Sequence, residues 1–125
     1  MTEKFPITVF HNPNCGTSRN VLGTIRAAGH DPEVVEYLKV GWTPGALASL
    51  IAAMDVEPIA LLREKEAVSL APHLLEPGAT DDQILDAMVA HPILVNRPIV
   101  STPRGTRLCR PAETVLGLLD RAPEA

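Results

Sequence analysis

Cys15 is the side chain of this sequence best suited to chemistry. It follows the turn-prone stretch His11-Asn12-Pro13-Asn14 and opens a segment with helical periodicity. A cysteine at such a junction meets unpaired backbone N–H groups and the positive end of a helix dipole, which favour thiolate over thiol. The same groups attract a small anion. His11 lies four residues earlier, and an imidazolium there would stabilise the thiolate further. Thr17 and Ser18 can donate hydrogen bonds to sulfur or to an oxyanion. Cys15-Gly16-Thr17-Ser18 is a C-x-x-S arrangement, with one thiol where dithiol oxidoreductases have two. The competing reading is an inert buried cysteine, the usual state of a free thiol. Polar neighbours on both sides argue against it. Asn12 and Asn14 read as plain turn residues.

An oxyanion at Cys15 would need cations. Tyrosine-phosphatase-like thiol enzymes place an Arg six positions after the nucleophile, so that one loop cradles the anion; here that position is Val21. Distant arginines must therefore come to the thiol. Arg97, Arg104, Arg107 and Arg110 fall within a segment free of Asp and Glu. Guanidinium groups suit the task because they stay charged and bind two oxygens at once. Arg104 sits in a turn and Arg107 alternates toward water, so both also fit a solvated role. Cys109 neighbours Arg110 on an expected strand and so faces the opposite way. It reads as core, separate from Cys15, with a redox partner as the lesser alternative. Zinc-ligand spacing and a C-x-x-C pair are both absent.

The elements that must position these groups are legible. The 125 residues suit one domain, and an apolar content of 46% fills one core. Net charge is −4, which does not favour nucleic acid. No apolar run has membrane-spanning length, and the N-terminus lacks a signal-peptide pattern. The expectation is a cytoplasmic protein without a membrane or nucleic-acid partner. Ile7–Phe10 reads as a buried strand, and the following helix carries Val21, Leu22 and Ile25 on one face and stops near Gly29. Val34–Leu38 reads as a second strand, parallel to the first by the crossover rule. Thr43-Pro44 caps a helix with Leu47, Leu50, Ile51 and Met54 inward. Pro58 opens a short helix. Thr80-Asp81-Asp82-Gln83 is a capping box ahead of Ile84, Leu85, Met88 and Val89. Ile99-Val100 and Thr106–Cys109 form a hairpin around Pro103-Arg104-Gly105. Pro111 starts a last helix with Val115, Leu116 and Leu119. The order is β-α-β, helices, β-β-α. It describes an α/β chain with a mixed β-sheet and an inserted helical region at about 43–90, the order of a thioredoxin-like fold.

Four segments then resemble one family, the glutaredoxin-coupled arsenate reductases. His11 through Asn20 resembles its active-site segment, and His91 through Val100 its second signature. Gly105 through Pro111 resembles the third, and Leu61-Leu62-Arg63 a weaker fourth. The likeness runs from about Thr8 to Leu119. It implies that Cys15 attacks arsenate and forms a thiol-arsenate adduct, while Arg63, Arg97 and Arg110 hold the oxyanion. His11 would help keep Cys15 ionised, and Ser18 would assist by hydrogen bonding. Glutathione would serve as co-substrate, with no tightly bound cofactor and no metal, and glutaredoxin as protein partner. Arg97-Pro98 would be the cis-proline facing the thiol.

The residues themselves leave alternatives. Arg63 has Glu64 and Glu66 beside it, which fits a solvated helix position. His30, His73 and His91 read as structural or solvated, and Trp42 takes no role. Spx-like regulators share the family, although they carry a second Cys where this chain has Ser18. A reductase of glutathione adducts is a third reading.

Overall fold

The computed structural model describes residues 5–123, and these divide into two compact units. Among the described residues the first comprises 5–37 and 97–123, the second 38–96.

The first unit is built on a four-stranded mixed sheet in the order β2-β1-β3-β4. Its strands are β1 (Thr8–Phe10), β2 (Glu33–Val35), β3 (Ile99–Thr102) and β4 (Gly105–Leu108). β1 pairs parallel to β2, with Val9 opposite Val34, and antiparallel to β3, with Val9 opposite Val100. β3 and β4 form the expected hairpin, Ile99 opposite Leu108. Gly105 supplies its φ of 143°, a conformation that side-chain-bearing residues rarely adopt.

Helix α1 (Gly16–Ala27) buries Ser18, Val21, Leu22 and Ile25, which recur at helical spacing. Val21, Leu22 and Ile25 meet Val9, Val100, Cys109, Val115, Leu118 and Leu119 in one core. Burying a Val, Leu or Ile side chain contributes roughly 1.5–3 kcal/mol each, so this face fixes where α1 begins and hence where Cys15 stands. The last element is a 3-10 helix, Ala112–Leu118. Its inward residues are Val115 and Leu118, with Leu119 just beyond. Leu116, expected in the core, is 48% exposed, because three residues per turn put positions 115 and 118 on one face.

Strand β2 ends at Val35, short of the expected Leu38. The buried Tyr37 opens a single turn, α2 (Tyr37–Val40). The second unit follows and is wider than the 43–90 span expected. Helix α3 (Pro44–Met54) is capped by Thr43, whose hydroxyl accepts from the Ala46 N–H at 3.2 Å. A 3-10 turn covers Pro58–Leu61, and α4 (Glu64–Leu70) adds a helix that the sequence reading left unassigned. Helix α5 (Asp81–Ala90) has both bonds of the capping box. Gln83 N–H donates to the Thr80 hydroxyl at 3.2 Å, and Thr80 N–H donates to the Gln83 side chain at 2.9 Å. Among the described residues no helix is long and apolar enough to cross a membrane.

Candidate active site

Cys15 is the N-cap residue of α1, with extended backbone (φ −100°, ψ 122°) and no side-chain capping bond. Its sulfur is thus left to other partners. The turn before it is tied down by short bonds. Cys15 N–H donates to the Asn12 carbonyl at 3.0 Å, and Asn14 N–H to the Asn12 side-chain oxygen at 2.9 Å. Arg19, one turn into the helix, donates from Nη1 to the Pro13 carbonyl at 2.8 Å. Asn12 is therefore a turn residue, as its type indicated. Arg19 is an additional clamp that no sequence pattern signalled.

Three donors converge on the sulfur: the Ser18 backbone N–H and the guanidinium groups of Arg97 and Arg110. Arg110 Nη1 lies 3.6 Å from Sγ and also donates to the Arg97 carbonyl at 3.1 Å. Cys109 N–H donates to the Pro98 carbonyl at 2.9 Å, so the strand ends that carry the two arginines are bonded to each other. Both Arg97-Pro98 and Arg110-Pro111 are cis; the second was not expected. Burial pushes the Cys15 thiol up, but the Ser18 N–H and the two guanidinium groups outweigh it, and the pKa falls below the ordinary thiol value.

His11 differs from the expectation of an imidazolium. It is buried, with its Nδ1 2.6 Å from the Ser18 hydroxyl, which also accepts the Asn12 N–H at 3.2 Å. Burial lowers its pKa below the usual imidazole value; Glu36 opposes this, while Arg26 and Arg19 reinforce it. His11 is thus favoured neutral and acts on the site by holding Ser18. Nothing near it in sequence disclosed Glu36, the residue just after β2, or Arg26, which helix α1 delivers.

Cys15, His11, Ser18, Arg97 and Arg110 all belong to the first unit. Arg63 belongs to the second, at the N-cap of α4. Its Nε pairs with Glu66 at 2.7 Å and its Nη1 donates to the Asn96 side chain at 3.5 Å. Its backbone N–H donates to the Leu94 carbonyl at 2.8 Å, next to a bridge between Leu62 and Val95. Cys109 is fully buried, and burial pushes its thiol up to about 12. His30, read as structural, pairs with Asp120 at 2.7 Å.

The fold and the thiol define a thioredoxin-like protein with one activated cysteine. Residues 10–118 match the ArsC family. The chain belongs to that family. It is 58% identical over 123 residues to arsenate reductase ArsI1 of Synechocystis sp., covering 98% of this chain and 85% of that one. It is 50% identical over 116 residues to an arsenate reductase of Escherichia coli K12, covering 93% and 82%. The solved arsenate reductase from Vibrio cholerae superposes with a TM-score of 0.87 at 32% identity, over 94% of this chain and 100% of that one.

Proposed function

We infer that this protein is an arsenate reductase with Cys15 as nucleophile. The observation that carries the reading is the cysteine at the start of α1 with two guanidinium groups on its sulfur and a lowered pKa. Such a site presents a nucleophile and its counter-cations to a tetrahedral oxyanion.

The Cys15 thiolate attacks arsenic and an oxygen leaves as water, forming the thiol-arsenate adduct. Arg97 and Arg110 hold the remaining oxygens by paired N–H donors, and the resemblance assigns Arg63 the same task. Ser18, held by neutral His11, keeps its N–H on the sulfur. Glutathione displaces a second oxygen from arsenic. A glutaredoxin thiolate then attacks the glutathione sulfur. The electron pair of the arsenic–sulfur bond stays on arsenic, which passes from As(V) to As(III), and the two thiols leave joined as a mixed disulfide. Water releases arsenite and restores Cys15. The cytosol, where glutathione and glutaredoxin are reduced, is the fitting compartment.

The test is arsenate-dependent NADPH oxidation with purified protein, glutathione, glutaredoxin and glutathione reductase. Turnover that needs arsenate, glutaredoxin and Cys15 supports the reading. A folded protein with a reactive Cys15 and no turnover overturns it in favour of a regulatory role.

A further inference from the structure

Arg19 carries a charge that the thiol site, as built from Ser18, Arg97 and Arg110, does not use. Its Nη1 donates to the Pro13 carbonyl at 2.8 Å. Its Nη2 lies 3.8 Å from where a Cβ on Gly16 would stand. The guanidinium is therefore folded back over the start of α1, beside the turn that precedes Cys15 and the helical residue that follows it. Consecutive Cα atoms are about 3.8 Å apart, so Nη2 stands within about 9 Å of the Cys15 Cα. That is about one Debye length at moderate salt.

The fold does not account for a cation at this place. Positive charge near the start of a helix meets the positive end of the dipole, which disfavours it. The first turn of α1 holds no Asp or Glu to offset it. Arg19 is exposed, and among the described residues it has no ion-pair partner. A bond to the Pro13 carbonyl needs an N–H donor, which a neutral side chain also supplies. Nor does Arg19 hold the thiolate, since the Ser18 N–H, Arg97 and Arg110 do that. The chain as a whole carries a net charge of −4, so its overall field opposes an approaching anion. At the mouth of the site the helix dipole and Arg19 act together against that field.

We propose that Arg19 is a specificity residue of the Cys15 site, an outer cation that favours anionic over neutral reaction partners. It deepens the reductase reading by naming a group that admits the oxyanion before Arg97 and Arg110 hold it. Arg19 makes no bond to sulfur and leaves the thiolate as it is. Its contribution is the encounter. Attraction between unit charges about 7 Å apart in water is worth about a two- to three-fold change in rate. A more highly charged oxyanion gains more, and salt removes the gain.

The experiment compares alkylation of Cys15 in the intact protein by iodoacetate, an anion, and by iodoacetamide, its neutral counterpart. Arg19→Gln should lower the ratio of the two second-order rates by about two- to three-fold at low ionic strength. Salt at about 0.5 M should bring wild type and variant together. Arg19→Lys keeps the charge and should keep most of the ratio. The pH midpoint of alkylation should not move in either variant. In the coupled assay kcat/KM for arsenate should fall by about three- to six-fold in Arg19→Gln. Equal slowing with both reagents, or a ratio lost alike in Arg19→Lys and Arg19→Gln, makes Arg19 a clamp alone and overturns the proposal. A lowered ratio in a protein that does not turn over arsenate keeps the proposal and overturns the reductase reading. Wild-type arsenate turnover with an unchanged ratio in Arg19→Gln does the reverse.

Discussion

The two cysteines occupy opposite environments although both neighbour Arg110, Cys15 in space and Cys109 in sequence. Cys15 stands at the rim, at the start of α1, with the Arg110 guanidinium 3.6 Å from its sulfur. Cys109 precedes Arg110 in the chain yet is fully buried among Val21, Ile25 and Val115. At the rim, N–H donors and cations outweigh burial, and the thiol pKa falls. In the core, burial dominates the opposing charge of Arg107, and the thiol is pushed up to about 12. Placement, and not residue type, separates a nucleophile from a packing residue.

The widest separation should appear in turnover. Cys15→Ser replaces a thiolate by a hydroxyl that stays protonated at neutral pH. Activity in the coupled assay should drop by about 10³-fold or more, while Cys109→Ala should keep turning over. Equal loss in both variants would erase the distinction. Arg97→Lys should cost about 10²-fold, because a point charge does not replace a planar fork; unchanged kinetics would remove Arg97 from the site. On the stability side the order reverses. Cys109→Ala leaves a small cavity in the core and should cost about 1–2 kcal/mol in chemical denaturation. Cys15→Ser, at the rim, should cost less.

A smaller effect concerns His11. Its lowered pKa means that it is neutral as pH rises through 6.5. A neutral ring bonded to Ser18 predicts a midpoint below 6.5 in an NMR titration of the ring. A midpoint above 6.5 would restore the imidazolium.

The same contrast explains what the sequence disclosed. The α1 stripe of Val21, Leu22 and Ile25 and the Thr80 capping box are local patterns, and both stand as read. The position of Cys15 at a turn-to-helix junction was also local. The charge state of His11 was not, because burial, Glu36, Arg26 and Arg19 set it and two of these arrive from beyond the motif. Strand β2 was read too long because Tyr37 and Leu38 continue an apolar stretch broken only by Glu36, whereas the buried Tyr37 begins a helical turn. The final helix was read as α. Its 3-10 winding brings Leu118 inward and leaves Leu116 exposed, a difference of register that apolar content alone does not resolve. The ion pair of Arg63 with Glu66 follows the i,i+3 spacing visible in the sequence.

The central claim is that Cys15 is a stabilised thiolate. Its most direct test is the rate of iodoacetamide alkylation against pH, with the modified cysteine identified by mass spectrometry. The account predicts modification at Cys15 with a midpoint below about 8.5, the ordinary thiol value, and a higher midpoint in Arg110→Met. A wild-type midpoint at or above that value would contradict it.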